Sequence, residues 1–276
     1  CQVKGAVSQA NARTLCEWLV TLKTLTRYQA KILLAGRPGP FVYGHYCVQD
    51  RIERTDLQSM FRARHLPSGH PVTLQFLAGD AGNDVLAWSD VVRRAADWPA
   101  ENHHVVRCFE VIDVDEFRFV VYEQFRAASL SKQLAEGKAL KPAVACHLVR
   151  QLALGLAELH QHGWTAVDIR PARIWLEPGK VPWAKLFLDA LQVPGSIDWE
   201  SVDWKHIDPT SSLAERADYC PPELVQPGRV PDSPAGIYGL GCLFFRLLSG
   251  REPFPGGDPR EKFSRRVAEP IPSLES

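Results

Sequence analysis

The apolar residues of this chain change their period part-way along it, and that switch limits the fold more than any other feature. From Tyr46 onward they fall in short runs of strand type, with "MFRARH" (60–65) and "PVTLQFL" (71–77) separated by "LPSG", whose Pro and Gly suit a hairpin turn. "HVVRCFEVI" (104–112) and "FRFVVYEQF" (117–125) repeat the arrangement around the polar turn "DVDE". Residues 84–96 interrupt the strands with Val85, Trp88, Val92 and Ala95 at helical spacing. After residue 126 the pattern is mainly helical: Leu148, Leu152, Leu156 and Leu159 line one face of a long helix, and Ile237, Leu240, Gly241, Phe244 and Leu248 line another. Strands followed by helices predict an α+β layout of two lobes, with a ligand cleft expected between them.

Ahead of the strands, residues 8–35 read as two helices. Leu15, Trp18, Leu19 and Leu22 recur at helical spacing, and "TRYQ" (26–29) offers a Thr-x-x-Gln capping box before Leu33 and Leu34. The breaker-rich "GRPGP" (36–40) ends this prefix, so the expected division is 1–43 for prefix and linker, 44–125 for the first lobe and 126–276 for the second. A length of 276 residues with 45% apolar content suits two domains or one bilobal domain.

The 32 basic and 32 acidic residues cancel, so overall charge points to neither nucleic acid nor an anionic membrane. No apolar run approaches the roughly 18 residues that cross a bilayer, and there is no signal-peptide pattern; membrane insertion is not expected. Seven cysteines without a Cys-x-x-Cys pair read as reduced, mostly buried thiols of a cytoplasmic domain. His160 and His162 have no third ligand nearby in the sequence, so no metal is expected there. The only Met is Met60, which suggests a piece of a longer protein.

Five segments, taken in order and spacing, carry a family resemblance. "YCVQDRIERTDLQSMFRARHLPSGHPVTLQFL", "FRFVVYEQFRAASLSKQL", "CHLVRQLALGLAELHQHGWTAVDIRPARIWL", "YCPPEL" and "IYGLGCLFFRLLSGREPF" resemble the successive motifs of Ser/Thr protein kinases, most closely the bacterial eukaryotic-like ones. The resemblance implies a bilobal protein-kinase-like fold: a five-stranded antiparallel first lobe with one helix, and a mainly helical second lobe. The prefix also resembles the segment preceding the kinase domain in some large bacterial kinase families.

Phosphoryl transfer in that family needs a Gly-rich cover, a strand Lys, two magnesium sites and a base for the acceptor hydroxyl. At the cover positions this chain has Glu53, Thr55 and Gln58, side chains that keep backbone amides from approaching phosphates closely. The strand Lys corresponds to Gln75, and no Lys occurs between Lys31 and Lys132; Arg62 is the available substitute, though its planar fork is a poor copy of an ammonium. The helix Glu that would pair with that Lys falls at Arg93 or Asp90. Thr73, Gln75, Tyr122, Glu123, Phe125 and Trp175 take the positions of the family's ATP cleft, and Trp175 either fills the adenine pocket or turns into the helical core.

The family's His-Arg-Asp corresponds to Ala166, Val167 and Asp168, so the catalytic Asp is retained. The following Lys is Arg170, and the magnesium-binding Asn is Arg173. Leu188 takes the position of the second magnesium ligand, unless the register slips by one and Asp189 supplies it. The Thr that would contact the catalytic Asp is Arg216, which makes Arg216 or Arg173 a candidate ion-pair partner for Asp168. The Asp that braces the catalytic loop is Gly236, whereas Pro222, Glu223 and "LLSGREPF" are kept. Thr210, Ser211 and Ser212 are phosphorylatable, with a polar loop the plainer meaning.

The expectation is a pseudokinase: a binding or regulatory module without phosphotransfer, needing neither ATP nor magnesium, whose partners are other protein domains. The alternatives are a weakly active ATP-dependent Ser/Thr kinase and a non-catalytic nucleotide sensor. The prefix and the Trp-rich "DWESVDWKHID" (198–208) are candidate contact surfaces, although core packing explains their aromatics as well.

Overall fold

The computed structural model describes residues 9–37, 39–52, 59–77, 87–99, 101–124, 129–135, 137–165, 167–177, 179, 182–191, 202–203, 208, 211–225 and 232–274. They form two compact units, Cys1–Ala78 with Glu110–Gln124 and Gly79–Phe109 with Phe125–Ser276. The first is built on an antiparallel sheet and the second is mainly helical, as the α+β reading expects.

In the first unit, helices α1 (Gln9–Thr21) and α2 (Arg27–Leu34) precede the sheet. The expected capping box forms: Gln29 N–H donates to Thr26 Oγ1 at 3.1 Å, and Thr26 N–H donates to Gln29 Oε1 at 2.9 Å. Gln29 Nε2 also donates to the Val48 carbonyl at 2.7 Å, which ties the cap to the sheet. Leu15 and Trp18 of α1, and Leu22 just after it, are exposed.

The strands are β1 (Val42–Tyr43), β2 (Tyr46–Arg51), β3 (Met60–His65), β4 (Pro71–Phe76), β5 (Cys108–Val114) and β6 (Phe117–Glu123), in the order β1-β2-β3-β4-β6-β5. The five expected strands are present, with the two-residue β1 added at an edge. Pairings Ala63↔Val72 and Leu74↔Val121 bring one face of alternating residues together, and Tyr46, Val48, Phe119 and Val121 bury it with them. Tyr43 closes this core edge-on, 4.9 Å from Phe76 and 4.8 Å from Phe117. The strand read from "HVVR" begins only at Cys108, because His104 and Val106 bond instead to Leu186, all three within the second unit.

The second unit contains α3 (Trp88–Ala96), α4 (Leu130–Leu134), α5 (Pro142–Gln161), a 3₁₀ turn at Pro171–Arg173, the hairpin β7 (Ile174–Glu177) and β8 (Trp183–Leu186), α6 (Ser212–Tyr219), α7 (Ser233–Ser249) and α8 (Pro259–Ala268). Pro142 starts α5 where no backbone donor is needed, and Leu148, Leu152, Leu156 and Leu159 are buried as the periodicity predicts.

Three readings are corrected. In α7 the buried face runs through Gly236, Gly239, Leu240, Leu243 and Leu247, while Ile237 is 60% exposed and Gly241 lies on the surface. The helix is apolar nearly all round, so its period does not select a face; the small residues do, because they allow close packing. A Cβ on Gly236 would lie 3.2 Å from Leu156 Cδ1 of α5. In α3 the buried residue is Val91, and Val92 is exposed. Ser211 and Ser212 are not in a polar loop: Ser211 caps α6, accepting from Ala214 N–H at 3.2 Å.

Candidate functional site

The segment around Asp168 is fixed by its backbone. Val167 and Ile169 are buried, Arg173 N–H donates to the Arg170 carbonyl at 2.9 Å, and Phe187 N–H donates to the Arg173 carbonyl at 2.7 Å. From behind, α7 approaches at Gly239, where a Cβ would stand 3.0 Å from the Ile169 carbonyl oxygen.

On this frame three arginines meet three carboxylates. Asp168 Oδ2 accepts from Arg170 Nε at 2.9 Å, and it forms ion pairs with Arg216 Nε at 3.6 Å and Arg173 Nε at 3.8 Å. Arg173 Nη1 donates to Asp189 Oδ2 at 3.2 Å, and Leu191 N–H donates to Asp189 Oδ1 at 3.1 Å. Arg170 Nη1 donates to Glu215 Oε2 at 2.6 Å. The Ala172 N–H and the Ser131 hydroxyl both donate to Glu215 Oε1, at 3.1 and 2.7 Å.

The electrostatics follow from burial and from this crowding. Burial pushes the Asp168 carboxyl up, but the guanidinium groups of Arg170, Arg216 and Arg173 outweigh it and hold the carboxyl well below the usual carboxylate range. Burial also works against the charge of Arg170, whose side chain is 0% exposed, yet Asp168 and Glu215 overcome it and raise its pKa. For Arg216 burial prevails and its pKa falls.

The structure brings together Asp168, Arg173, Asp189 and Arg216 of the residues the sequence singled out. The acid that reaches Arg173 is Asp189, and Leu188 is buried. Trp175 is buried on β7 opposite Lys185, with a backbone bridge to Ser129. Thr73, Gln75, Tyr122 and Glu123 lie in the first unit; Tyr122 Oη donates to Gln75 Oε1 at 3.0 Å, and both residues are buried. Arg62 pairs with Asp50 at 3.2 Å and Arg93 with Asp90 at 2.7 Å. Glu53, Thr55, Gln58, Phe125, Ala166 and Thr210, with most of 198–208, lie outside the described residues.

Sequence reasoning missed Glu215 and the double role of Arg170. No local pattern marks this pairing, since Arg170 and Glu215 stand 45 positions apart.

The family described as "Protein kinase domain" matches residues 99–274. The chain belongs to this family. The kinase domain is 27% identical over 212 residues to serine/threonine-protein kinase PkaB of Streptomyces coelicolor, covering 75% of this chain and 50% of that protein. It is 22% identical over 219 residues to serine/threonine-protein kinase PrkC of Bacillus subtilis, covering 79% and 32%. With serine/threonine-protein kinase PknB of Mycobacterium leprae it shares 23% identity over 239 residues, covering 84% and 37%. The chain thus spans about a third to a half of the length of these relatives. Among the described residues no helix is long and apolar enough to cross a membrane.

Proposed function

We propose that this kinase domain is a pseudokinase, a binding or regulatory module for other protein domains that does not transfer phosphate. The observation that carries the reading is the Arg173 guanidinium, which lies 3.2 Å from Asp189 and 3.8 Å from Asp168. Magnesium asks for oxygen ligands that can turn toward it in octahedral geometry, and here the two acids nearest to such a role are engaged by a buried cation. The residues do not fit the metal. No phosphoryl-transfer step is therefore derived through it.

Two further features support the reading. A base that takes a hydroxyl proton works best with a pKa near the working pH, and Asp168 is driven the opposite way by its three arginines. Gln75 stands at the strand position of the family Lys and is bonded to Tyr122. Each lost electrostatic group costs on the order of 10²-fold in rate. The cytoplasm is the compartment that goes with this reading, supported by described cysteines that are all thiols.

The test is a thermal-shift measurement with ATP, with and without magnesium, alongside ³²P incorporation into the domain and a generic protein substrate. The expected result is no magnesium-dependent stabilisation and no incorporation. A metal-independent ATP shift reassigns the domain as a nucleotide sensor, and incorporation that is lost in Asp168→Asn overturns the proposal.

A further inference from the structure

The Glu215 carboxylate is gripped by donors from separate segments: Arg170 Nη1 at 2.6 Å, the Ala172 N–H at 3.1 Å and the Ser131 hydroxyl at 2.7 Å. Little in this grip is free to adapt. Arg170 is fully buried and anchored through Nε to Asp168, Ala172 N–H belongs to the 3₁₀ turn, and Ser131 sits on α4. Arg170 also carries a second buried N–H group: among the described residues its Nη2 finds no acceptor. A carboxylate brings two oxygens to this nest, and both are already used. A phosphoryl group brings three, with more charge, so it can meet the same donors and Nη2 as well.

Charge points the same way. With Glu215 in place, Arg170, Arg173 and Arg216 face Asp168, Asp189 and Glu215 in balance; without it the cluster is one positive charge in excess. We propose that Arg170, the Ala172 amide and Ser131 form an oxyanion site for a phosphoryl group, and that α6 plugs it with Glu215. The inference goes beyond the proposed function, since the plug stands whether or not the domain transfers phosphate. Being tethered, Glu215 acts at high effective concentration, so free phosphate does not displace it from the unaltered chain.

The test uses the whole 276-residue chain and its Glu215→Ala variant, melted in inorganic phosphate and in chloride at matched ionic strength. Glu215→Ala is expected to gain about 3–5 °C for each tenfold rise in phosphate above the dissociation constant, while the unaltered chain gains nothing. Ser131→Ala added to Glu215→Ala weakens the response. Glu252→Ala, which removes an acid paired with Arg246 at 3.2 Å, gives none and so controls for net charge. Should Glu215→Ala fail to fold, Glu215→Gln keeps the shape and gives a smaller response of the same sign. O-phosphoserine run beside inorganic phosphate separates the sources, tighter binding of the former assigning the site to a phosphorylated side chain. Equal behaviour of phosphate and chloride in both Glu215 variants, or a response as large in the unaltered chain, overturns the proposal.

Discussion

The Arg173 guanidinium donates to Asp189 at 3.2 Å from a side chain that is 3% exposed, so the positive charge beside this acid is supplied by the chain itself. Replacing it with Asn leaves Asp168 and Asp189 without their shared cation. Breaking a buried pair from one side typically costs ~3–5 kcal/mol, and Arg173→Asn is expected to melt correspondingly lower in the absence of divalent ions. Added magnesium is then expected to recover part of the loss, because two neighbouring acids that have lost the cation between them suit a hard cation. The unaltered domain should show no such response. Differential scanning fluorimetry with magnesium, and with potassium at matched ionic strength, distinguishes the two.

Arg170 and Glu215 are separated by 45 positions yet bonded at 2.6 Å, and their energies should be coupled. Arg170→Met alone removes the cation that Asp168 and Glu215 share, and Glu215→Leu alone leaves the buried Arg170 with Asp168 but without its second acid; each is expected to cost ~3–5 kcal/mol in urea unfolding. The double variant should cost less than the sum by ~0.5–3 kcal/mol, the range for residues in one network. Strict additivity would mean that the bond contributes nothing specific.

The depressed carboxyl of Asp168 gives the domain a pH signature. A carboxyl whose folded pKa lies below its unfolded one contributes stability that is complete above the ordinary carboxylate range and is lost as pH falls through the folded value. Stability of the unaltered domain should therefore fall more steeply below pH ~4 than that of Asp168→Asn, which has no proton to take up there. Urea midpoints measured from neutral pH downward read this directly, and parallel curves for the two proteins would remove Asp168 from the account.

Much of the fold was legible because its signals are local. The Leu148–Leu159 stripe states which face is buried, and the Thr26–Gln29 cap needs only four residues to form. The α7 face was not legible, since a helix apolar nearly all round offers several candidate faces and its orientation is set by how closely Gly236 and Gly239 let neighbours approach. In the site, Asp168, Arg173 and Asp189 could be picked out because their motif is contiguous or nearly so. Glu215 could not, because its three donors lie 43, 45 and 84 positions away and no period links them. Which of Leu188 and Asp189 meets Arg173 is likewise set by the fold and by no local pattern.

The prefix helices are an integral part of the sheet unit, and their removal should be felt there. Gln29 is buried and takes part in the cap of α2 while donating to the Val48 carbonyl of β2 at 2.7 Å. Gln29→Ala loses one reciprocal cap, worth ~0.5–2 kcal/mol, and one buried bond, worth ~0.5–1.5 kcal/mol. The expected sum is ~1–3.5 kcal/mol, with amide hydrogen exchange quickening first in α2 and β2 because those are the elements the side chain joins. Deleting residues 1–43 removes in addition Tyr28, which packs against the sheet core, and Tyr43, which stands edge-on to Phe76 and Phe117. The deletion should therefore lower the melting temperature by more than Gln29→Ala does. An unchanged melt and unchanged exchange in β2 would instead make the prefix a separate element that merely rests beside the sheet.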